Sequence, residues 1–129
     1  DELQWTEVQA FLEDLRALHG RLTAIGTGGN INRIFKENKN AFGEPLSVVD
    51  IRAQRARIAS YSYDERVKVL RLRPDRADVI IPAADIFLRI LALAEVEEVF
   101  VPKVGLADGI VYDLYTKQYG RARYAAQPA

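Results

Sequence analysis

The first third of the chain combines a helical period with a strand-like run. Apolar residues recur at steps of three and four across residues 5–18, which is the stripe of an amphipathic helix, and Gly20 is placed to end it. Residues 22–25 form a short run closed by glycine and predict a strand. Residues 31–36 predict a helix, whereas residues 36–45 lack a period and predict a polar loop.

Two serines predict helix starts in the middle of the chain. Ser47 with Asp50, and Ser62 with Glu65, have the spacing of a capping box, in which a hydroxyl and a carboxylate three positions apart accept from each other's backbone amides. The second of these helices is expected to stop before Pro74, because proline disfavours helical backbone angles in the residue that precedes it. The two helices together predict a helical pair.

A more apolar helix and a second strand follow. Pro82 lies in or near the first turn of this helix, where a missing N–H costs little, and the helix is expected to end near Ala94. Residues 97–105 predict a strand of the type that is buried in parallel sheets.

The end of the chain predicts a closing helix and a flexible tail. The helix covers residues 108–119 and is expected to turn Ile110, Val111 and Leu114 toward the core. Residues 121–129 are expected to be loose. The whole pattern predicts an α/β fold, rich in helix, with a short parallel sheet.

A glycine-rich turn between the first strand and the second helix is the main candidate for chemistry. Gly26, Gly28 and Gly29 would let backbone N–H groups approach a phosphate, and Thr27 and Asn30 could add side-chain donors or cap the helix. The N-terminus of a helix offers unpaired N–H groups and the positive end of the helix dipole. The turn is neither a Walker A loop nor a dinucleotide fingerprint, so an ordinary tight turn stays open as the alternative.

A second loop joins the second strand to the last helix and could bind an anion in the same way. Lys103 would act as a point charge, Gly105 would form the turn and Asp108 would cap the last helix. Ligands of open α/β sheets bind outside the carboxyl ends of parallel strands. If the two strands are neighbours, both loops face one crevice.

The stretch "RLRPDRADVI" contributes further candidates. In a functional interpretation Arg76 faces a phosphate, while Asp78 orients it or caps the next helix. In a structural interpretation the two residues form an ion pair that holds the helical pair to the sheet. Both interpretations stay open at this point.

Composition narrows the function classes. Eighteen basic residues balance eighteen acidic ones, so no overall field favours nucleic acid or an anionic membrane, and the longest apolar stretch is too short to span a bilayer. The chain lacks cysteine and a basic, apolar leader, which favours the cytoplasm. The charge is uneven, however, because Arg52 to Arg76 contains eight Lys or Arg against three acids.

Two further expectations concern the extent of the chain and its ability to bind a metal ion. The sequence has no methionine and opens on a helical pattern, so we expect it to be a piece of a longer protein. No cluster of His, Asp or Glu has metal-ligand spacing, so a metal bound by this chain alone is not expected.

Three blocks of the sequence resemble a known family. "GTGGNINRI", "SYDERVKVLRLRPDRADVIIPAADIF" and "EEVFVPKVGLADGIVYDLY" resemble, in order and spacing, the second domain of the exopolyphosphatase/guanosine pentaphosphate phosphatase (Ppx/GppA) family. The resemblance covers residues 5–119 and implies a partial actin-like ATPase domain with a ribonuclease H-like fold. Residues 1–120 would form that partial domain.

The resemblance implies a hydrolase that acts between two domains with Mg²⁺. It would remove terminal phosphate from inorganic polyphosphate or the 5′-phosphate of guanosine pentaphosphate. The loop at residues 26–30 would line the phosphate cleft, whereas a catalytic glutamate and two more phosphate loops would lie in a missing N-terminal domain. We therefore expect this chain to be inactive alone, because it lacks the general base.

The same resemblance implies a structural consequence and leaves one alternative. Strands expected ahead of the first helix are absent, so the sheet would expose an edge and an apolar face, and we expect self-association as a homo-oligomer to cover them. The alternative function is a non-catalytic module that binds a polyanion or a protein through the Arg52 to Arg76 basic surface.

Overall fold

The computed structural model describes residues 1–102 and 104–120. Lys103 and the tail at residues 121–129 lie outside the described residues. The elements run α1 (Glu2–His19), β1 (Ala24–Ile25), α2 (Gly29–Glu37), β2 (Leu46–Ser47), α3 (Val48–Ala59), α4 (Tyr63–Lys68), α5 (Pro74–Ala77), α6 (Ile80–Leu93), β3 (Glu98–Phe100) and α7 (Leu106–Tyr119). The predicted α/β fold rich in helix is confirmed.

The sheet is small and mixed. Its strand order is β1-β3-β2, with β1 parallel to β3 and β2 antiparallel to β3. The parallel pair confirms the predicted parallel pairing. The antiparallel strand β2 was not predicted, because it lies at the junction of the predicted loop, residues 36–45, and the predicted helix cap, Ser47. A two-residue strand is too short to show the alternation by which strands are recognised.

One face of the sheet is covered and the other is open. Ala24, Val99 and Leu46 are paired across the three strands, and Val99 and Leu46 are buried. Because successive side chains alternate between faces, Ile25 and Phe100 point the other way, and they are 69% and 38% exposed. Helices α2, α3 and α6 supply most of the buried core, which includes Ile31, Ile34, Phe35, Ile51, Ile58, Ile80, Ala84 and Leu91.

The predicted helix starts are present. The Ser47 hydroxyl accepts from the Asp50 N–H at 3.0 Å, and Ser62 with Glu65 forms a complete capping box. Accepting hydrogen bonds from the Ser62 N–H and hydroxyl lowers the pKa of Glu65. Pro82 is the third residue of α6, within its first turn as expected.

Helix α4 stops before Pro74, as predicted, but it ends earlier than the proline requires. Its last residue is Lys68, and Arg71 has a φ of 57°, in the left-handed region. Pro74 then begins the short helix α5. Arg71 lies two residues beyond Val69, the C-cap of α4, and arginine gives no sequence signal for a left-handed backbone.

Helices α1 and α7 leave much apolar surface exposed. The prediction that Ile110, Val111 and Leu114 face the core was wrong, since they are 50%, 62% and 60% exposed. Helix α1 also has no buried residue. The exposure of these apolar side chains matches the expected exposed apolar surface, whereas self-association stays a prediction. Within residues 1–102 and 104–120, no helix combines the length and hydropathy needed to cross a membrane.

A matched pair on α3 tests the core. Ile51 is fully buried, whereas Val49, one half-turn earlier, is 71% exposed. Ile51→Ala should lower the free energy of unfolding by about 2–5 kcal/mol, because it leaves a cavity between packed helices. Val49→Ala should change it by less than about 0.5 kcal/mol. Urea denaturation followed by circular dichroism measures both, and equal effects would contradict the assigned core.

Candidate phosphate-binding site

Gly26 is fixed by packing and by a backbone hydrogen bond. Its N–H donates to the Phe100 carbonyl at 2.8 Å, which extends the β1–β3 pairing. A Cβ at this position would lie 3.1 Å from Ile31 Cγ1 and 3.2 Å from Val99 Cγ2. The amide of Gly26 is therefore already used, and the expectation that it points at an anion was wrong.

The next residues leave a row of unpaired amides. Gly28 is the N-cap of α2 with a φ of 108°, which side chains rarely adopt, and the first helical bond runs from the Asn32 N–H to the Gly28 carbonyl at 3.0 Å. Neither Thr27 nor Asn30 caps the helix, which corrects that prediction. In the part of the chain that the structure describes, the N–H groups of residues 27–31 have no hydrogen-bond acceptor.

Arg76 lies directly over the start of α2. Its Nη1 donates to Asn30 Oδ1 at 2.7 Å. A Cβ at Gly29 would stand only 2.3–2.5 Å from the guanidinium atoms of Arg76. The absence of a side chain at position 29 therefore allows the cation to sit against the helix N-terminus.

Asp78 does not take either of its predicted roles. Its side chain is exposed, and among the described residues it makes no ion pair with Arg76 or with any other cation. Val79, not Asp78, is the N-cap of α6. The partner of Arg76 is instead the neutral amide of Asn30.

The second loop differs from the first. Strands β1 and β3 are parallel neighbours, so both loops leave the same edge of the sheet, as the sequence predicted for neighbouring strands. Gly105 is the N-cap of α7 and its N–H donates to Asp108 Oδ2 at 2.8 Å, so the expectation that Asp108 is the cap was wrong. A carboxylate at this helix start opposes anion binding.

A groove opens beside the glycine turn. It encloses about 260 Å³ and contains Gly29 and Arg76 but neither Gly105 nor Asp78. Its remaining lining residues are Asn32, Arg33, Lys36, Arg71, Leu72 and Arg73. The contributions of Asn32, Arg33 and Lys36 were not predicted, although these residues recur at helical spacing on the polar face of α2.

The groove is cationic. Arg33 is neutralised by Glu37 at 2.7 Å and also donates to the Leu70 carbonyl, while Arg73 is paired with the exposed Asp75 at 3.2 Å. The other three cations of the groove, which are Lys36, Arg71 and Arg76, have no carboxylate partner in the described ranges. An anion that enters the groove would find positive charge without a competing carboxylate on its walls.

Much of the remaining basic stretch has structural partners. Arg55 forms a two-pronged pair with Asp85 at 2.7 and 3.2 Å, which joins α3 to α6 and lowers the pKa of Asp85. Arg57 pairs with Glu37, and Arg66 donates to three backbone carbonyls. The basic surface is therefore split, since its last three arginines face the groove and several earlier ones hold the fold.

A larger cavity near β1 has the wrong charge for an anion. It encloses about 470 Å³, and its lining includes Glu95, Glu97 and Glu98 against a single cation, Arg21. The smaller groove is thus the better candidate in spite of its size, because charge decides which ligand a site accepts.

The groove does not fit Mg²⁺. This ion prefers carboxylate and other oxygen ligands, and no carboxylate lines the groove. Nor do residues 1–102 and 104–120 contain a group of three His, Asp or Glu that could hold a metal ion.

Comparison with solved structures identifies the fold. The chain superposes on the Ppx/GppA family member from Aquifex aeolicus with a TM-score of 0.67 and 24% identity, covering 92% of this chain and 42% of that one. A type II variant of the Aquifex aeolicus Ppx/GppA phosphatase gives 0.62 and 22%, with coverages of 83% and 38%. An exopolyphosphatase from Cytophaga hutchinsonii gives 0.67 and 19%, with coverages of 91% and 43%.

The chain has the fold of part of a Ppx/GppA protein. It spans about two fifths of the length of the solved structures that it matches. No protein-family model matches the sequence, and no curated protein matches it significantly. The expected likeness to part of a Ppx/GppA protein is confirmed at the level of fold.

Gly29→Ala tests the geometry of the site with little risk to the fold. The three atoms nearest to the new Cβ all belong to the guanidinium of Arg76, which must therefore leave Asn30 and the helix start. The free energy of unfolding should change by less than about 1 kcal/mol, because the restriction that alanine places on the unfolded chain offsets the lost hydrogen bond between Arg76 and Asn30. Affinity for orthophosphate, measured by calorimetry, should fall about tenfold through loss of a charge-assisted contact.

Gly109→Ala is the matched control. Gly109 lies in α7, where a Cβ would meet no atom within 4 Å. This variant should leave phosphate affinity unchanged. An equal loss of affinity in both variants, or no loss in Gly29→Ala, would contradict the assigned role of Arg76.

Proposed function

We propose that this chain is the phosphate-binding part of a phosphohydrolase of the Ppx/GppA type. The observation that carries the proposal is the start of α2, where the unpaired amides of residues 27–31 and the guanidinium of Arg76 lie together. The fold shared with Ppx/GppA structures supports the same proposal.

The groups that would bind the phosphate are already in position before it arrives. Helix N-terminal amides and the helix dipole favour an anion, and an arginine can hold two phosphate oxygens at once. Gly28 and Gly29 keep side chains out of the approach to these groups. Such preorganised donors are what phosphoryl transfer requires, because it depends mainly on positioning and charge neutralisation.

The remaining catalytic parts are proposed to come from outside this sequence. A domain that precedes it would supply a catalytic glutamate to activate water and two further phosphate loops. The described residues do not fit Mg²⁺, so any ion would be held by that domain together with substrate phosphates. The chain's own contribution would be to bind and orient the phosphate.

The proposed substrates are inorganic polyphosphate and guanosine pentaphosphate. Both carry a terminal phosphate on a chain of linked phosphates, and one of the matched structures is an exopolyphosphatase. Loss of one terminal phosphate leaves the shortened chain as the leaving group and needs one water.

An activity assay separates binding from catalysis. With Mg²⁺ present, the chain alone should bind orthophosphate but should release none from polyphosphate or guanosine pentaphosphate, because it lacks the proposed base. Release should appear when the proposed catalytic domain is joined to it, and Arg76→Gln should then lower kcat/KM by about tenfold or more. Turnover by the isolated chain would contradict the proposal, and so would full activity of Arg76→Gln.

The alternative of a polyanion- or protein-binding module on the basic surface predicts a different mutational pattern. Arg52 is exposed and has no ion-pair partner in the part of the chain that the structure describes. A diffuse surface would lose as much affinity from Arg52→Gln as from Arg76→Gln. The proposed site predicts that Arg52→Gln changes affinity by less than about twofold, since exposed charges are strongly screened.

A further inference from the structure

A largely buried carboxylate lies beside the groove without lining it. Glu37 is the last residue of α2, and its side chain is only 16% exposed. One of its carboxylate oxygens accepts from Arg33 at 2.7 Å, and the other accepts from Arg57 of α3. The C-terminal end of a helix disfavours a negative charge, so α2 itself gives no reason for a carboxylate at this position.

A second contact of Arg33 joins α2 to the opposite wall of the groove. Its Nη2 donates to the carbonyl of Leu70, 37 positions further along the chain. Leu70 belongs to the segment between α4 and α5, which supplies Arg71, Leu72 and Arg73 to the groove. The side chain of Arg33 is only 20% exposed, so solvent screens its contacts weakly. Arg33 therefore ties Glu37 to the backbone of the groove wall.

The Leu70 carbonyl restricts the backbone of the next residue. This carbonyl and the N–H of Arg71 belong to one planar peptide group, so holding the carbonyl restricts the φ angle of Arg71. That angle is 57°, in the left-handed region, which is unfavourable for a residue with a Cβ. Such a conformation persists where surrounding contacts enforce it. The direction in which the Arg71 side chain leaves the backbone depends on this angle.

We propose that Glu37 is a positioning residue for the anion site. It holds Arg33 on the Leu70 carbonyl, and this contact keeps Arg71 in the left-handed conformation in which it lines the groove with Gly29. Glu37 acts through Arg33 and does not itself touch the anion. This inference rests on the proposed function, because the anion is the phosphate bound at the start of α2.

The sign of one substitution separates positioning from a simple effect of charge. Glu37→Ala removes a negative charge near a cationic groove, so an effect of charge alone would strengthen phosphate binding. If Glu37 positions Arg33, the guanidinium instead leaves the Leu70 carbonyl and Arg71 leaves its place on the groove wall. Orthophosphate affinity, measured by calorimetry, should then fall about fivefold. An unchanged or increased affinity would overturn the proposal.

Asp85→Ala is the matched control. Asp85 is also a helical carboxylate paired with an arginine, Arg55 of α3, at 2.7 Å, and it does not line the groove. This variant should change orthophosphate affinity by less than about twofold. Equal losses of affinity in Asp85→Ala and Glu37→Ala would overturn the proposal.

Circular dichroism and urea denaturation verify that each variant is folded. Should Glu37→Ala not fold, Glu37→Gln keeps an acceptor of the same length while removing the charge. Glutamine cannot accept from both Arg33 and Arg57 through two oxygens, so this variant should also bind orthophosphate more weakly than the native chain. A Glu37→Gln affinity at or above the native value would overturn the proposal.

Two measurements test whether Glu37 acts through Arg33. In the Arg33→Gln background, Glu37→Ala should cause no further loss of affinity, because the group that it positions is gone, and additive losses would overturn the proposal. In the free chain, the three-bond HN–Hα coupling and the ¹³Cα shift of Arg71 report its φ angle. Glu37→Ala should move both away from their native values, whereas Asp85→Ala should leave them unchanged. Native values in Glu37→Ala would overturn the proposal.

The same experiments distinguish this inference from the proposed function. If Gly29→Ala weakens orthophosphate binding while Glu37→Ala does not, the proposed function stands and the role of Glu37 is overturned. If the native chain binds no orthophosphate, the proposed function fails. The coupling and shift of Arg71 then still decide whether Glu37 positions the wall of the groove.

Discussion

The site depends on the approach of the Arg76 guanidinium to the backbone of Gly29. That contact exists only because position 29 has no Cβ, since a Cβ there would stand 2.3 Å from the nearest guanidinium nitrogen. It brings a cation from α5 to the start of α2, where amides are unpaired and the helix dipole is positive. The anion preference that we propose for the groove follows from this one juxtaposition, because Asn30 holds Arg76 without neutralising it.

Local signals predicted most of the fold, and tertiary ones account for the errors. The serine caps at Ser47 and Ser62 and the proline in the first turn of α6 depend on short-range chemistry that the sequence displays. Strand β2 was not predicted, because a strand of two residues is too short to show a hydrophobic period. The inward face assigned to α7 was wrong because an apolar stripe marks a face to be covered without specifying what covers it.

The position of the site was predictable from the sequence, but the hydrogen-bond partners of its residues were not. Glycine spacing located the turn, yet only the fold shows that the Gly26 amide is used by Phe100 and that Asn30 binds Arg76. Arg76 and Asn30 are 46 positions apart, and no local pattern connects them. Asp78, close to Arg76 in sequence, was the natural partner to predict, and the structure directs it to solvent instead. Sequence proximity is thus a poor guide to which charges meet.

An amide chemical-shift titration of the ¹⁵N-labelled chain with orthophosphate tests directly whether the amides at the start of α2 bind phosphate. We expect the largest shifts at the N–H groups of residues 27–30. The N–H shift of Gly26 should stay near its starting value, because Phe100 already accepts from it. Shifts confined to exposed basic residues such as Arg52 and Lys68, with the turn amides unmoved, would contradict it.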